Sequence, residues 1–125
     1  MNSAVQKLCI VTLGFAVLSG CSAYRVSSNI DERPLTAQEQ SRKVTITQAR
    51  IMNREYRFLG PVEVSIKKAT IFHADPSRDQ ANEELEKRAR MIGADAVMEV
   101  KYEGGIGAFT WGYLDAEGKA VKYTD

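Results

Sequence analysis

The sequence predicts a small α+β domain of order β-β-α-β-β, with one mainly antiparallel sheet covered by a single helix. A cleaved signal and a flexible tether precede it. Three observations carry this expectation. Short stretches on either side of residues 77–92 alternate apolar and polar residues, the period of half-buried strands. Residues 77–92 themselves change to helical spacing, with start and stop residues at both ends. Residues 22–42 are polar and carry neither period. The boundaries expected are 1–20 for the signal, 21–42 for the tether and 43–125 for the domain.

The first strand pattern begins at Lys43, where Val44 and Ile46 alternate with Lys43, Thr45 and Thr47. A longer one starts at Tyr56. It sets Phe58, Gly60, Val62, Val64 and Ile66 on one face and Glu63, Ser65 and Lys67 on the other. Pro61 removes a ladder donor, which points to a sheet edge or a bulge beside Gly60. The helix has two available starts, Asp75-Pro76 and the capping box Ser77-Arg78-Asp79-Gln80. Ala81, Leu85, Ala89 and Ile92 form its apolar stripe, and Gly93 is placed to end it in a left-handed cap. Glu83 with Lys87, Glu84 with Arg88 and Glu86 with Arg90 are i,i+4 pairs on its solvated face.

After the helix, Ala96, Met98, Val100 and Tyr102 are expected on one strand face, with Val97, Glu99, Lys101 and Glu103 opposite. Gly104 to Gly107 breaks this strand, and it lacks the lysine and hydroxyl of a phosphate loop. Phe109, Trp111 and Tyr113 then alternate along the next strand. Asp115-Ala116-Glu117-Gly118 suits a type I turn, with Ala120 to Tyr123 returning as a further strand segment.

The N-terminal region is read differently. Lys7 is the one charged side chain before Cys21, and Leu8 to Val17 is an apolar run. At about ten residues it matches a signal-peptide core and is too short to span a bilayer, which needs ~20. Leu18-Ser19-Gly20-Cys21 follows. This tetrapeptide resembles the lipobox of bacterial lipoproteins, where a peptidase cuts before the cysteine and a lipid is joined to its sulfur. The resemblance implies lipidation of Cys21. Ser22 stands where aspartate would favour inner-membrane retention, which implies an outer-membrane anchor with the domain facing the periplasm. Ser22 to Arg42 contains Pro34 and few large apolar residues, as expected of a solvated spacer.

The whole chain has 17 basic and 16 acidic residues. Without Lys7 the two counts are equal, so no basic excess favours nucleic acid. Cys9 leaves with the signal and Cys21 is capped, so the domain must stand on its core without disulfides.

The stretch Glu84 to Val100, centred on Ala89-Arg90-Met91-Ile92-Gly93-Ala94-Asp95-Ala96-Val97, resembles the YbjQ-like family. Leu59-Gly60-Pro61-Val62 and Gly118-Lys119-Ala120-Val121 extend that likeness over roughly Tyr56 to Tyr123. The family includes cytoplasmic proteins and, more distantly, RcsF-type envelope lipoproteins. The RcsF type carries disulfide-forming cysteines that this domain lacks. Relatives form ring-like oligomers, so the resemblance also implies self-association as an option.

The chemistry-bearing residues are sparse. His73 with Asp75 and Asp79 offers only a weak metal site, and its lone imidazole gives no Ser-His-Asp order. The expectation is no metal, no cofactor and no enzyme. Phe109, Trp111 and Tyr113 are the candidate partner-binding residues, weighed against the core face of a strand. Arg42 to Lys68 is predominantly basic and Asp75 to Glu103 predominantly acidic, an asymmetry that could pair within the domain or guide contacts between copies. The function expected is a membrane-anchored, non-catalytic interaction or sensing module with an envelope protein partner. A small-ligand or metal-binding lipoprotein is the alternative.

Overall fold

The computed structural model describes residues 24–106 and 112–125 of the 125-residue chain. In chain order it contains β1 (Tyr24–Ser28), α1 (Ala37–Ser41), β2 (Thr45–Ile46), β3 (Tyr56–Lys68), α2 (Arg78–Met91), β4 (Ala96–Gly105) and β5 (Tyr113–Tyr123). The strands form one curled sheet in the spatial order β1-β3-β5-β4-β2. Its pairs are antiparallel except β2 beside β4, which is parallel. The α+β class and the mainly antiparallel sheet are as the sequence predicts; the order β-β-α-β-β and the single helix are not. A strand and a short helix are added before β2.

The capping box starts α2. Ser77 Oγ accepts from Gln80 N, and the Gln80 side chain accepts from Ser77 N at 2.8 Å. Asp75-Pro76 lies ahead of the helix. At its other end Gly93 takes φ +75°, Ala94 N donates to Ala89 O at 3.0 Å, and Gly93 N donates to Arg90 O at 3.1 Å. These two bonds are the Schellman arrangement that satisfies the last carbonyls. Ala81, Leu85 and Ala89 are fully buried against Val62, Val64, Ile66, Val97, Val100, Leu114, Ala116 and Ala120. Ile92, expected on this stripe, is the C-cap residue and is left 37% exposed, while Met91 is buried outside both apolar clusters.

Two bulges change which residues share a face. The β3–β5 register shifts between Phe58 and Gly60, so Leu59 is the extra residue. Phe58, expected alongside Val62 and Val64, turns to the other face and is 55% exposed. The β4–β5 register shifts between Met98 and Lys101, with Glu99 at φ +53°. Glu99 and Val100 together oppose Gly118. Val97, Val100 and Tyr102 therefore face α2, while Ala96 and Met98 point the opposite way. Strict alternation put Ala96, Met98, Val100 and Tyr102 together; the inserted residue reverses the parity.

The turn expected at Asp115 to Gly118 is absent, and β5 runs straight through it. Gly118 serves close packing instead. A Cβ there would lie 2.5 Å from Val97 Cγ1 and 2.9 Å from Val100 Cγ2.

The spacer expected over 21–42 is also corrected from Tyr24 onward. Tyr24 to Ser28 pair with Lys68 to Val64 of β3. The segment after them wraps α2 through guanidinium–carbonyl bonds. Arg33 gives Met91 O two bonds at 3.1 and 2.9 Å, Arg88 Nη1 donates to Ile30 O at 2.6 Å, Arg90 Nε to Arg42 O at 2.7 Å, and Arg42 Nη2 to Ala94 O at 2.8 Å. Lys87, expected to pair with Glu83, reaches Glu32 at 2.5 Å. Order here comes from these polar contacts together with Tyr24 and Ile30, which pack against the core beneath α2.

Candidate functional site

The sheet has a second face, away from α2. At one end it is closed by Ala96, Met98 and Val121, with Ile51, Tyr56 and Tyr123 packed on them. The chain after β2 is held there, with Thr47 O accepting from Val100 N and Ala49 O from Glu99 N, both at 3.1 Å. Arg54 stacks 3.6 Å over the Tyr123 ring and forms a bidentate pair with Asp125.

The other end of this face is an open groove of about 850 Å³, lined by residues of β1, β3, β4 and β5. The pairing register lays it out in rows. Glu63, Glu117 and Lys101 form one row across β3, β5 and β4. Ser27, Ser65, Asp115 and Glu103 form the next across β1, β3, β5 and β4. Arg25, Lys67 and Tyr113 follow. The middle of the groove thus sets Glu63 opposite Glu117 and Asp115 opposite Glu103. Like charges directly opposite on adjacent strands are destabilising.

The walls are fixed. Ser65 Oγ donates to Asp115 Oδ1 at 2.5 Å. Asn29 closes the β3 edge that Pro61 leaves irregular, accepting from Glu63 N at 2.8 Å and donating to Pro61 O at 2.9 Å. Ser28 Oγ donates to Glu63 O at 2.6 Å. Beyond the groove, Lys119 lies 2.7 Å from the Glu99 carboxylate and holds it below the usual carboxylate range. The arrangement offers four carboxylates, of which Asp115 is held by Ser65, to a cationic or hydrogen-bond-donating partner.

The residues singled out from sequence fall elsewhere or outside. Leu18, Ser19, Gly20 and Cys21, with the leader, lie outside the described residues, as do Phe109 and Trp111. Tyr113 is described: it is half-buried at the start of β5, opposite Lys67 and Gly105, on the groove side of the sheet and in neither apolar cluster. His73 Nδ1 is 2.7 Å from Thr70 Oγ1, and its ring is 6.1 Å from that of Tyr24. Asp75 is taken by Lys68 at 2.7 Å. Among the described residues no three of His, Cys, Asp and Glu gather to hold a metal ion. Glu63, Ser65, Lys101 and Glu103 were visible as polar positions of alternating strands. Asp115 and Glu117 were hidden by the turn assigned to them.

No family model matches the chain, and no curated protein matches it. A crystal structure of a protein of unknown function belonging to the DUF74 family, from Pediococcus pentosaceus ATCC 25745, is similar at 22% identity with a TM-score of 0.50. The match covers 64% of this chain and 97% of that one. A likeness at this identity is one of fold, and it agrees with a small α+β domain.

Proposed function

We propose that the chain is a cell-envelope lipoprotein, anchored to the outer membrane through lipid on Cys21, whose YbjQ-like domain is a non-catalytic binding module in the periplasm. Its groove holds a basic segment of an envelope protein. The observation that carries this reading is the acidic lining of a sheet face left open, where Glu63 faces Glu117 and Asp115 faces Glu103, with Lys101 beside Glu117 as the one basic lining residue among those described. Like charges directly opposite on adjacent strands are destabilising, and a cationic partner would relieve the two carboxylate pairs. The apolar run and Leu18-Ser19-Gly20-Cys21 support the anchor. A small cationic ligand is the second reading, favoured by a groove volume within the ~300–1,000 Å³ of small-molecule sites.

The test is crosslinking in intact cells, with metabolic lipid labelling of the same cultures. Wild type should incorporate lipid and give a partner band; Cys21→Ala should lose the label. Glu63→Lys with Glu117→Lys should keep the label and lose the band. A band that survives this double reversal overturns the groove as the docking site, and label retained by Cys21→Ala overturns the anchor.

A further inference from the structure

The way the chain enters the fold restricts how an anchored domain can stand on its membrane. Tyr24 is the first residue of β1 and pairs with Lys68, the last residue of β3. Its hydroxyl donates to Ala74 O at 2.8 Å, so the entry point is fastened to the loop between β3 and α2. Lys68 N donates to Gly112 O at 2.8 Å, which brings the β4–β5 connection to the same end. Cys21 precedes Tyr24 by three residues, a reach of at most about 11 Å. The 13-residue β3 runs away from this end over roughly 40 Å. A leash that short holds the entry end toward the bilayer and keeps the Tyr56–Tyr123 end away from it.

The entry end carries side chains suited to that position. Phe72 is 90% exposed, Ile106 84% and Ile71 53%. None of these three belongs to either apolar cluster. Arg25 and Lys67 are exposed cross-strand neighbours one row in, placed for anionic headgroups. The nearby Asp75 carboxylate is paired with Lys68. An apolar tip with basic residues behind it is the pattern of a surface seated at the headgroup–acyl boundary.

We infer that this end of the sheet is a membrane-docking surface, with Ile71, Phe72 and Ile106 inserted in the lipid interface and Arg25 and Lys67 at the headgroups. The inference rests on lipidation of Cys21. The domain is then held in one orientation, its far end directed into the periplasm and its groove running up from the membrane.

The full chain, expressed with its own leader and purified from membranes, is placed in vesicles of phosphatidylethanolamine and phosphatidylglycerol. Phe72→Cys, Ile106→Cys and, at the far end, Met52→Cys each carry an environment-sensitive fluorophore; exposed Met52 lies in the chain between β2 and β3. With lipids bearing a quencher near the headgroup, emission at 72 and 106 should shift to the blue and be quenched, while emission at 52 should do neither. Equal quenching at 72 and 52 in a chain whose mass shows the lipid overturns the orientation and leaves the anchor standing. A chain of unmodified mass that fails to float with the vesicles overturns the anchor and this inference with it. A blue shift at 72 without lipid quenching marks a protein contact, a second copy included, and overturns the lipid assignment.

Discussion

Gly118 shows how one residue type can be read for the wrong reason. After Asp115-Ala116-Glu117 its place fits the fourth position of a turn. In the structure it sits in mid-strand, opposite the Glu99–Val100 bulge, because nothing larger fits beneath Val97. The two accounts differ in what alanine does. At the end of an exposed turn the extra methyl would be close to neutral. Here it meets two buried valines and the Met98 carbonyl, 3.1 Å from the added carbon. Gly118→Ala should therefore destabilise the domain by about 1–3 kcal/mol, the usual cost of overpacking. Thermal or urea unfolding measures it, and an unchanged midpoint would return the residue to a turn.

At the scale of elements, local signals fixed what local chemistry specifies. The Ser77 box, the Ala81-Leu85-Ala89 stripe and the Gly93 cap each sit within the helix they define, so α2 was legible. The bulges were only half legible: Pro61 marked an irregularity near Gly60, but nothing near Glu99 announces a reversal of parity. In residues 29–42 the capping box Thr36-Ala37-Gln38-Glu39 that starts α1 was legible and went unread, while the arginine–carbonyl bonds between positions far apart in sequence were not legible. Two ion pairs of the same segment, Glu32 with Lys87 and Arg33 with Glu39, add a term that acid removes. The Glu32 carboxyl is held below its ordinary value, first by the hydrogen bond from Lys87 and then by its charge; Glu39 is lowered mainly by the hydrogen bond from Arg33. For lowered carboxyls the stabilisation is complete above the ordinary carboxylate range, ~4.3, and is lost as pH falls through the folded-state values. Acidification below that range should loosen residues 29–42 before the sheet. Hydrogen exchange, corrected for the intrinsic effect of pH, should show protection falling first at Glu32 to Arg42 and later in β3 and β5. Simultaneous loss across all of them would mean that these pairs do not hold the segment separately.

The whole molecule places its polar residues on two surfaces with different consequences. Around α2 the charges meet opposite charges: Glu86 with Arg90 at 2.5 Å, Glu32 with Lys87 at 2.5 Å, Arg33 with Glu39 at 2.9 Å. In the groove Glu63 faces Glu117 and Asp115 faces Glu103, and Lys101 beside Glu117 is the one basic residue of the described lining. If that arrangement serves a cationic partner, the free domain should gain stability when one charge is removed. Glu63 is the position to change, since its cross-strand neighbour on β5 is Glu117, and on its other side Asn29 bonds its backbone rather than its carboxylate. Glu63→Gln keeps the shape and removes the repulsion. Cross-strand charge terms are about 0.2–1 kcal/mol, and for a domain of this size 0.5 kcal/mol raises Tm by about 2–4 °C. The gain should shrink as salt is added, because at 0.1 M the screening length is already ~10 Å. Calorimetry at low and high salt reads both effects. A Tm that falls, or a rise indifferent to salt, would show that the groove carries no electrostatic strain for a partner to relieve.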